Sequence, residues 1–332
     1  MNGHMIGHLG VGAHALSWPE IPVRVAGIEL IDQRFRTVTI ATVMHSVVSH
    51  TKLLIYRSGG PNLDRLNRTL SSASFRREVA SQFQDQCVVD DYHLRPFYPE
   101  ETFSILARLV DPDGQRVLDV GCGTGEIALR IAPYVEHVDA VDLSPAMIAK
   151  GKSRVGGGAL NLNWIEGEVE SVALTPPYDL ITAAASLHWM DWSIVLPRFA
   201  QVLTPKGVLA MVAEDSTAGP NLEAIWKLMQ DYWTFPEYQP FDVIEVLTQR
   251  GLFAIEGDQW TAPITWEQPI ADYIGSVHAR TGFSRERMGA AASEAFDTAA
   301  AQILWAICPE GTVPMNIRAR VVWGRPSRSE NA

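Results

Sequence analysis

Short apolar runs alternate with segments of helical period through the middle of the chain. Five such runs end at residues 120, 142, 166, 184 and 213. Their length and apolar composition are typical of strands that are buried in a parallel sheet. Helical segments such as 126–132 and 191–203 lie between them. This alternation of strand and helix predicts an α/β fold.

The first run, 117–120, ends in a turn with glycines at alternate positions: Gly121, Gly123 and Gly125. A strand, a glycine turn and a helix open a nucleotide-binding βαβ unit. Glycine suits such a turn because it tolerates positive φ and lets a ligand lie against bare backbone. The spacing G-x-G-x-G differs from the G-x-G-x-x-G of dinucleotide sites, which argues against a nicotinamide oxidoreductase.

An acid, Asp119, lies inside the first strand and immediately before the turn. We expect its carboxylate to point at the ligand, where it would repel the pyrophosphate that a Rossmann turn holds. It would favour a ligand with a cationic head. S-adenosylmethionine carries an ammonium and a sulfonium and no phosphate, so the sequence favours this cofactor. The alternative is an ordinary strand-to-helix turn in which Asp119 acts as a cap.

The second predicted strand, 137–142, also ends in an acid, Asp142. By analogy with dinucleotide sites, an acid at this position can accept hydrogen bonds from both ribose hydroxyls of a nucleoside. Leu143 follows and is expected to pack on the adenine. Ser144 and Pro145 then read as the N-cap and first residue of a helix. The alternative for Asp142 taken alone is a solvated strand end.

Residues 117–152 resemble motif I and the following acidic strand of class I S-adenosylmethionine-dependent methyltransferases. The similarity continues to about residue 213, and 90–326 resembles the small-molecule branch that includes trans-aconitate and juvenile-hormone-acid methyltransferases. The resemblance implies a Rossmann-like, seven-stranded, mostly parallel sheet with an antiparallel edge strand and helices on both faces. Its edge pair would be 251–256 and 317–323, with a helical substrate cover over about 216–245 and 266–312.

The resemblance also implies cofactor contacts. Arg95 would pair with the cofactor carboxylate, and Tyr92 or Tyr98 would cover the methyl group. Glu168 would accept a hydrogen bond from the adenine amino group, and the backbone N–H of Val169 would meet a ring nitrogen. Cys122 is expected to pack within the turn rather than to react. The predicted cofactor residues are Arg95, Asp119, Gly121, Cys122, Gly123, Asp142, Leu143, Glu168, Val169 and Ser186.

Candidates for acceptor chemistry follow the fourth strand, at the sheet edge where open α/β folds bind ligands. His188 can act as a base or a hydrogen-bond partner near neutral pH. By resemblance, Trp189 borders the acceptor carboxylate. The alternative is that His188 braces the next helix. His278 and Arg280 lie on a later helix, as pocket residues with Arg280 clamping a carboxylate, or as surface residues. The predicted substrate residues are Tyr92, Tyr98, Trp189, His278 and Arg280, with His188 and Trp189 as catalytic candidates.

The overall composition and charge limit the classes of partner that the chain is expected to bind. The chain has 332 residues and a net charge of −11, which disfavours an extended nucleic-acid surface. Three cysteines without metal-ligand spacing indicate a reducing, cytoplasmic compartment and no metal site. No apolar run approaches the ~18–20 residues of a membrane helix. Residues 1–72 are expected to be a poorly ordered or accessory extension, and 73–332 the methyltransferase domain, a monomer or homodimer.

The expected function is transfer of a methyl group from S-adenosylmethionine to a small molecule, with an oxygen nucleophile such as a carboxylate as acceptor. Two alternatives stay open: an N-methyltransferase acting on a small molecule, and a non-catalytic partner subunit that binds the cofactor. A nucleic-acid methyltransferase is disfavoured by the acidic balance and by the lack of an Asn/Asp-Pro-Pro-aromatic motif after the fourth strand.

Overall fold

A single mixed sheet of eight strands organises the computed structural model, which describes residues 63–112, 114–218 and 222–327. Five neighbouring strands are parallel, in the order β3-β2-β1-β4-β5. The strands are β1 Arg116–Val120, β2 His137–Asp142, β3 Leu162–Glu166, β4 Tyr178–Ala184 and β5 Leu203–Ala218. Each of the five predicted runs is therefore a strand, and the α/β prediction is confirmed.

Three further strands complete the sheet: β6 Phe253–Trp260, β7 Ile264–Pro269 and β8 Thr312–Pro326. The long β8 runs antiparallel to β5. On its other side β8 pairs with β6 along its C-terminal half and with β7 along its N-terminal half. The predicted edge pair is confirmed. The predicted count of seven strands is wrong, because β7 was assigned to the helical cover. Most of its residues are exposed, so it lacks the apolar alternation of a half-buried strand.

Helices pack on both faces of the sheet, as predicted. Residues of β1 alternate between the two cores: Val117 joins Phe103 and Leu106 on one face, and Leu118 joins Phe199 on the other. In chain order, the helices are α1 Leu63–Ser71, α2 Ala73–Ala80, α3 Gln86–Asp91, α4 Glu100–Arg108, α5 Ala128–Ile131, α6 Pro145–Ser153, α7 Trp192–Val202, α8 Glu223–Asp231, α9 Val243–Gln249, α10 Ile270–His278, α11 Arg285–Met288 and α12 Ala290–Ile307. Within the described ranges, none of these helices has the length and apolar character needed to cross a bilayer.

A third core lies at the carboxyl side of the sheet, among α8, α10 and α12. Ile225, Ile274 and Phe296 pack there with Met315 of β8. These helices fall inside the predicted cover, although 216–218 belong to β5 and 266–269 to β7. The cover is thus a packed helical layer that rests on the extended N-terminal half of β8.

The N-terminal helices α1 and α2 are held to the domain by one buried cation. The Arg76 guanidinium donates to the carbonyls of Thr69, Leu70 and Met190 at 2.9–3.1 Å. It also lies 4.7 Å from the ring centre of Trp192, at the start of α7. Burial lowers the pKa of Arg76. Residues 1–62 of the predicted extension lie outside the described residues, so the boundary near residue 72 stays a prediction.

Replacing Arg76 with alanine should destabilise the protein by about 2–4 kcal/mol, because three carbonyls lose their donor and two of these hydrogen bonds are buried. Urea unfolding followed by tryptophan fluorescence measures the change. Arg68→Ala is the matched control: its ion pair with Glu237 is exposed, so its loss should cost under about 1 kcal/mol. Equal effects of the two variants would contradict the anchoring role.

Candidate functional site

The turn after β1 is built for close approach. Gly121, Gly123 and Gly125 all have positive φ, at 63°, 55° and 82°. A Cβ on Gly121 would lie 2.5 Å from the Cβ of Ser186, and one on Gly125 would lie 2.4 Å from the ring of Trp164. Only glycine fits these positions without displacing neighbours. The turn is therefore a bare-backbone surface, as the spacing predicted.

The Asp119 carboxylate lies beneath this turn and does not face the ligand cleft. Asp119 is 1% exposed. One carboxylate oxygen accepts a hydrogen bond from the Thr182 hydroxyl at 2.8 Å, and the other accepts from the Ala128 backbone N–H at 3.1 Å. The expectation that Asp119 points its charge at the ligand is wrong. The first N–H groups of α5 have no partner within the helix, and they draw the carboxylate inward.

Burial raises the pKa of Asp119 to about 7, although the hydrogen bonds from Thr182 and Ala128 oppose the shift. Near neutral pH this carboxyl is therefore shared between its charged and protonated forms. Its contacts are those of a capping residue, which was the alternative to direct ligand contact. It acts on the site by holding β1, β4 and α5 in register around the turn.

Cys122 also lies away from the cleft. Its backbone N–H donates to the Val141 carbonyl at 3.0 Å, and its side chain is buried. Burial raises the pKa of the thiol well above its usual range. The thiol packs within the turn, in line with the expectation that it does not react. Cys122 does not line the cleft through its side chain, and its cofactor contact stays a prediction.

Asp142 lies at the lip of the cleft. Its carboxylate accepts from the Gly123 backbone N–H at 2.7 Å and from the Ser144 N–H at 2.8 Å. Burial raises its pKa, and the two backbone hydrogen bonds act in the opposite direction. Each carboxylate oxygen can accept a second hydrogen bond. Asp142 therefore connects the glycine turn to α6 and still presents acceptors suited to two ribose hydroxyls.

The cleft beside Asp142 has a volume of about 130 Å³. Eight of the ten predicted cofactor residues line it, namely Arg95, Gly121, Gly123, Asp142, Leu143, Glu168, Val169 and Ser186. Tyr92 also lines it, with its hydroxyl close to the turn. The bare backbone at the floor allows a nucleoside to approach closely. The carboxylate at the lip can accept hydrogen bonds from its ribose and would repel a phosphate, so the cleft fits a nucleoside without phosphate groups.

A second, larger cavity of about 610 Å³ adjoins the first. The two cavities share five wall residues: Phe83, Arg95, Ala185, Ser186 and Trp189. His188 lines the larger cavity, and its ring packs 4.2 Å from that of Trp189. Arg280 also lines the larger cavity. The end of β4 therefore lies between the smaller cleft and the larger chamber, and His188 and Trp189 follow it there.

Arg95 occupies the junction between the cavities. Its guanidinium donates to the Tyr92 hydroxyl at 3.4 Å and lies 5.1 Å from the centre of that ring. Burial lowers the pKa of Arg95, but Tyr92 and Glu214 outweigh it, so the net shift is upward. The side chain therefore keeps its positive charge at the point where the two cavities meet.

Two predicted substrate residues lie elsewhere. His278 is 0% exposed, and its ring nitrogens lie 2.7 Å from the Phe283 carbonyl and from the Asp297 carboxylate. It braces α10 against α12 because its face of α10 is buried in the cover. Tyr98 packs against the core on the α4 side of the sheet, and burial raises its pKa. Neither residue lines either cavity. The substrate assignment of His278 is wrong, whereas that of Tyr98, which lies near Tyr92, Arg95 and Glu214, stays a prediction.

Sequence reasoning missed most of the chamber wall. The wall includes Trp226, Trp233, Tyr238, Trp260, Glu214, Asp215 and Arg320. These residues come from β5, β6, β8 and the segment 226–241, and no local motif connects them. The one available signal was the aromatic density of 221–235, which the sequence placed in the cover without a role. Among the described residues, no group of three His, Cys, Asp or Glu side chains could hold a metal ion.

Known proteins resemble this arrangement. A family model for a methyltransferase domain matches residues 117–207. The trans-aconitate 2-methyltransferase of Streptomyces avermitilis is 28% identical over 228 residues, which cover 62% of this chain and 81% of that protein. The same-named protein of Methylobacterium nodulans is 36% identical over 120 residues, 35% of this chain and under half (45%) of the relative. The solved structure of a proposed type II methyltransferase from Anaeromyxobacter dehalogenans has a TM-score of 0.50 and 25% identity, and the match covers 70% of this chain and 97% of that one.

The pH dependence of stability tests the buried Asp119 carboxyl. Its folded pKa of about 7 exceeds the ordinary 3.8, so the folded state holds this proton more tightly. Its stabilising contribution is complete below the ordinary pKa and is lost as pH rises through about 7. The loss is on the order of 4 kcal/mol, at ~1.36 kcal/mol per pKa unit.

Asp119→Asn removes this titration and can still pair with both neighbours, because its amide accepts from Ala128 and donates to Thr182. Urea unfolding should therefore show that the wild-type protein loses stability relative to the variant between about pH 4 and pH 8. The contributions of other titrating groups are the same in both proteins and cancel in the difference between their free energies of unfolding. Parallel pH profiles for the two proteins would contradict the raised pKa.

Proposed function

We propose that this chain, which is a class I S-adenosylmethionine-dependent methyltransferase, transfers the methyl group of its cofactor to a carboxylate of a small molecule. The observation that carries the proposal is the shared wall at Arg95 and Trp189, between the cleft beside Asp142 and the larger chamber. The names of the two trans-aconitate 2-methyltransferases, which methylate a small carboxylic acid, support the same acceptor class.

The cleft suits the cofactor residue by residue. Asp142 would accept hydrogen bonds from the ribose hydroxyls, with the turn of Gly121 and Gly123 against the adenosyl group. Glu168 and Val169 line the side of the cleft where the adenine edge would lie. Arg95 remains charged at the junction and would meet the cofactor carboxylate. We propose these roles for the cleft residues, and Asp119 supports them from beneath.

The charge of the chamber suits an anionic acceptor. Four arginines line it, Arg65, Arg95, Arg280 and Arg320, against the three carboxylates of Glu214, Asp215 and Asp242. Asp215 is neutralised by Arg318 at 2.8 Å and Arg320 by Asp258 at 2.6 Å, which leaves three of these arginines against two carboxylates. A protonated amine would be less favoured there, and so would the N-methyltransferase alternative. An arginine can hold a carboxylate through two parallel hydrogen bonds, which also orients it.

When bound, the cofactor supplies a methyl group whose bond to sulfur breaks as an acceptor oxygen bonds to its carbon, the electron pair staying on sulfur. An ionised carboxylate gives up no proton in this step, so the chain needs no general base. Trp189 and Phe83 contribute by excluding water, and their ring centres lie 6.0 Å apart at the junction. Alignment of the two reactants is the chief contribution of the protein, and it can lower a barrier by about 7–11 kcal/mol. His188 then serves to position the acceptor or to brace Trp189.

Asp142→Ala should weaken the binding of S-adenosylhomocysteine by about 100-fold or more. The variant loses the ribose acceptors and leaves the Gly123 and Ser144 N–H groups without their partner. Calorimetric titration measures the affinity. Glu136→Ala is the matched control, because Glu136 is exposed next to the opposite end of β2. Wild-type affinity in Asp142→Ala would refute the placement of the cofactor.

Release of S-adenosylhomocysteine over a panel of carboxylates, phenols and amines tests the acceptor class. We expect turnover with carboxylates and an ester product. Arg280→Ala should raise KM for the carboxylate by about tenfold or more and leave cofactor affinity unchanged, because Arg280 lines only the chamber. Arg325→Ala is the control, since Arg325 pairs with Glu256 at the surface. Cofactor binding without turnover of any acceptor would favour the partner-subunit alternative, and turnover of amines alone the N-methyltransferase.

A further inference from the structure

The acceptor chamber is larger than a small carboxylic acid requires. Its volume of about 610 Å³ falls within the ~300–1,000 Å³ typical of sites for drug-sized ligands. A compact acid at the Arg95 and Trp189 junction would leave most of the chamber wall in contact with water. The size of the chamber therefore points to an acceptor with a body beyond its reacting carboxylate.

The wall that such a body would meet is aromatic. Trp226, Trp233, Tyr238 and Trp260 all line the chamber. Two of these rings are held in place by neighbours. Trp233 packs edge-on against Phe283 at 5.4 Å, and Tyr238 lies 5.5 Å from Trp189 at an interplanar angle of 31°. Flat, fixed rings favour a flat ligand, because aromatic pairs add about 0.5–1.5 kcal/mol beyond the area they bury.

Two buried polar side chains in the same wall each keep one atom without a hydrogen-bond partner among the described residues. They are Asp215, 3% exposed, and Gln239, 4% exposed. These atoms are a carboxylate oxygen of Asp215 and the amide nitrogen of Gln239, and both are shielded from solvent by their neighbours. One accepts and the other donates, and a buried polar atom is costly when it stays unpaired. A ligand hydroxyl can donate to the first kind of atom and accept from the second.

The position of Asp215 sets a rough length for the ligand. In the sheet, Val212 of β5 is the register partner of Ala184, the last residue of β4. Asp215 lies three residues further along β5, or about 10 Å at ~3.3 Å per residue. Its other oxygen is already paired with Arg318 of the adjacent strand. Because that pair is charge-compensated, Asp215 suits a neutral hydroxyl better than an ammonium.

Resting on the proposed function, we propose that the acceptor is an aromatic carboxylic acid with a hydroxyl group at the end remote from the carboxylate. The carboxylate lies at the junction with the cofactor cleft and is held by Arg280, while Arg95 holds the cofactor carboxylate. The ring lies among the tryptophans of the wall. The hydroxyl pairs with these two atoms of Asp215 and Gln239 once a rotation of each side chain turns them toward the chamber.

Four acids test this proposal by calorimetric titration of the full chain saturated with S-adenosylhomocysteine. They are 3-(4-hydroxyphenyl)propionate, 3-phenylpropionate, hexanoate and propane-1,2,3-tricarboxylate. The hydroxylated ring acid should bind about tenfold or more tightly than hexanoate and the tricarboxylate, with 3-phenylpropionate between them. Hexanoate or the tricarboxylate binding as tightly as the hydroxylated acid overturns this inference and leaves the proposed function standing. Binding of none of the four also overturns this inference, and the turnover panel of carboxylates, phenols and amines then decides the acceptor class separately.

A variant of the wall gives a second readout. Trp233→Ala should lower the affinity for the hydroxylated ring acid by about tenfold and leave the affinities for the tricarboxylate and for S-adenosylhomocysteine unchanged. Trp305→Ala is the matched control, because Trp305 is 55% exposed on α12 and lines neither cavity. Circular dichroism checks that both variants are folded. An equal loss of affinity for all four acids would mean that the chamber as a whole is disrupted, and it would contradict ring recognition. If Trp233→Ala fails to fold, the comparison of the four acids on the wild-type protein still tests the proposal.

Discussion

The buried Asp119 carboxylate is the interaction on which the site depends. It accepts hydrogen bonds from Thr182 on β4 and from Ala128 at the start of α5, and its own residue belongs to β1. Three elements therefore meet at one side chain beneath the glycine turn. A buried carboxylate is tolerated only when its oxygens are paired, and here both are. The turn can then approach Ser186 closely enough that a single Cβ on Gly121 would clash.

Both ends of the described chain contribute to closing the site. The N-terminal segment places Phe83 and Arg95 in the walls of both cavities. It is tied to the helical cover by polar contacts: the Gly282 N–H donates to the side chain of Gln82 at 2.7 Å, and Arg287 pairs with Asp85 at 2.7 Å. These contacts join segments some 200 residues apart in sequence. These contacts therefore hold the N-terminal segment and the helical cover together beside the junction.

The directions of the strands in the sheet determine where the two cavities lie. Parallel strands end at one edge, and the bare turn after β1 and the acid at the end of β2 meet there to form the cleft. Beyond that edge β5 and β8 continue as an antiparallel ribbon and carry Asp215 and Arg318 upward as a cross-strand pair. The helices α8, α10 and α12 pack on this ribbon and close the chamber. One sheet thus serves a cofactor cleft at its parallel centre and an acceptor chamber at its antiparallel side.

The sequence by itself determined the features that depend on neighbouring residues. Strand length and apolar composition located the five parallel strands, and glycine spacing located a turn that only glycine can form. The strand-end position of Asp142 placed its carboxylate at the cleft. Tertiary structure alone decided where Asp119 and His278 point, because both are buried and their partners, Thr182 and Asp297, lie on other elements. Tertiary structure also decided the aromatic chamber wall and the edge strand β7. Neither feature shows a periodic pattern in the sequence, because each forms only through contacts between segments that are distant in the chain.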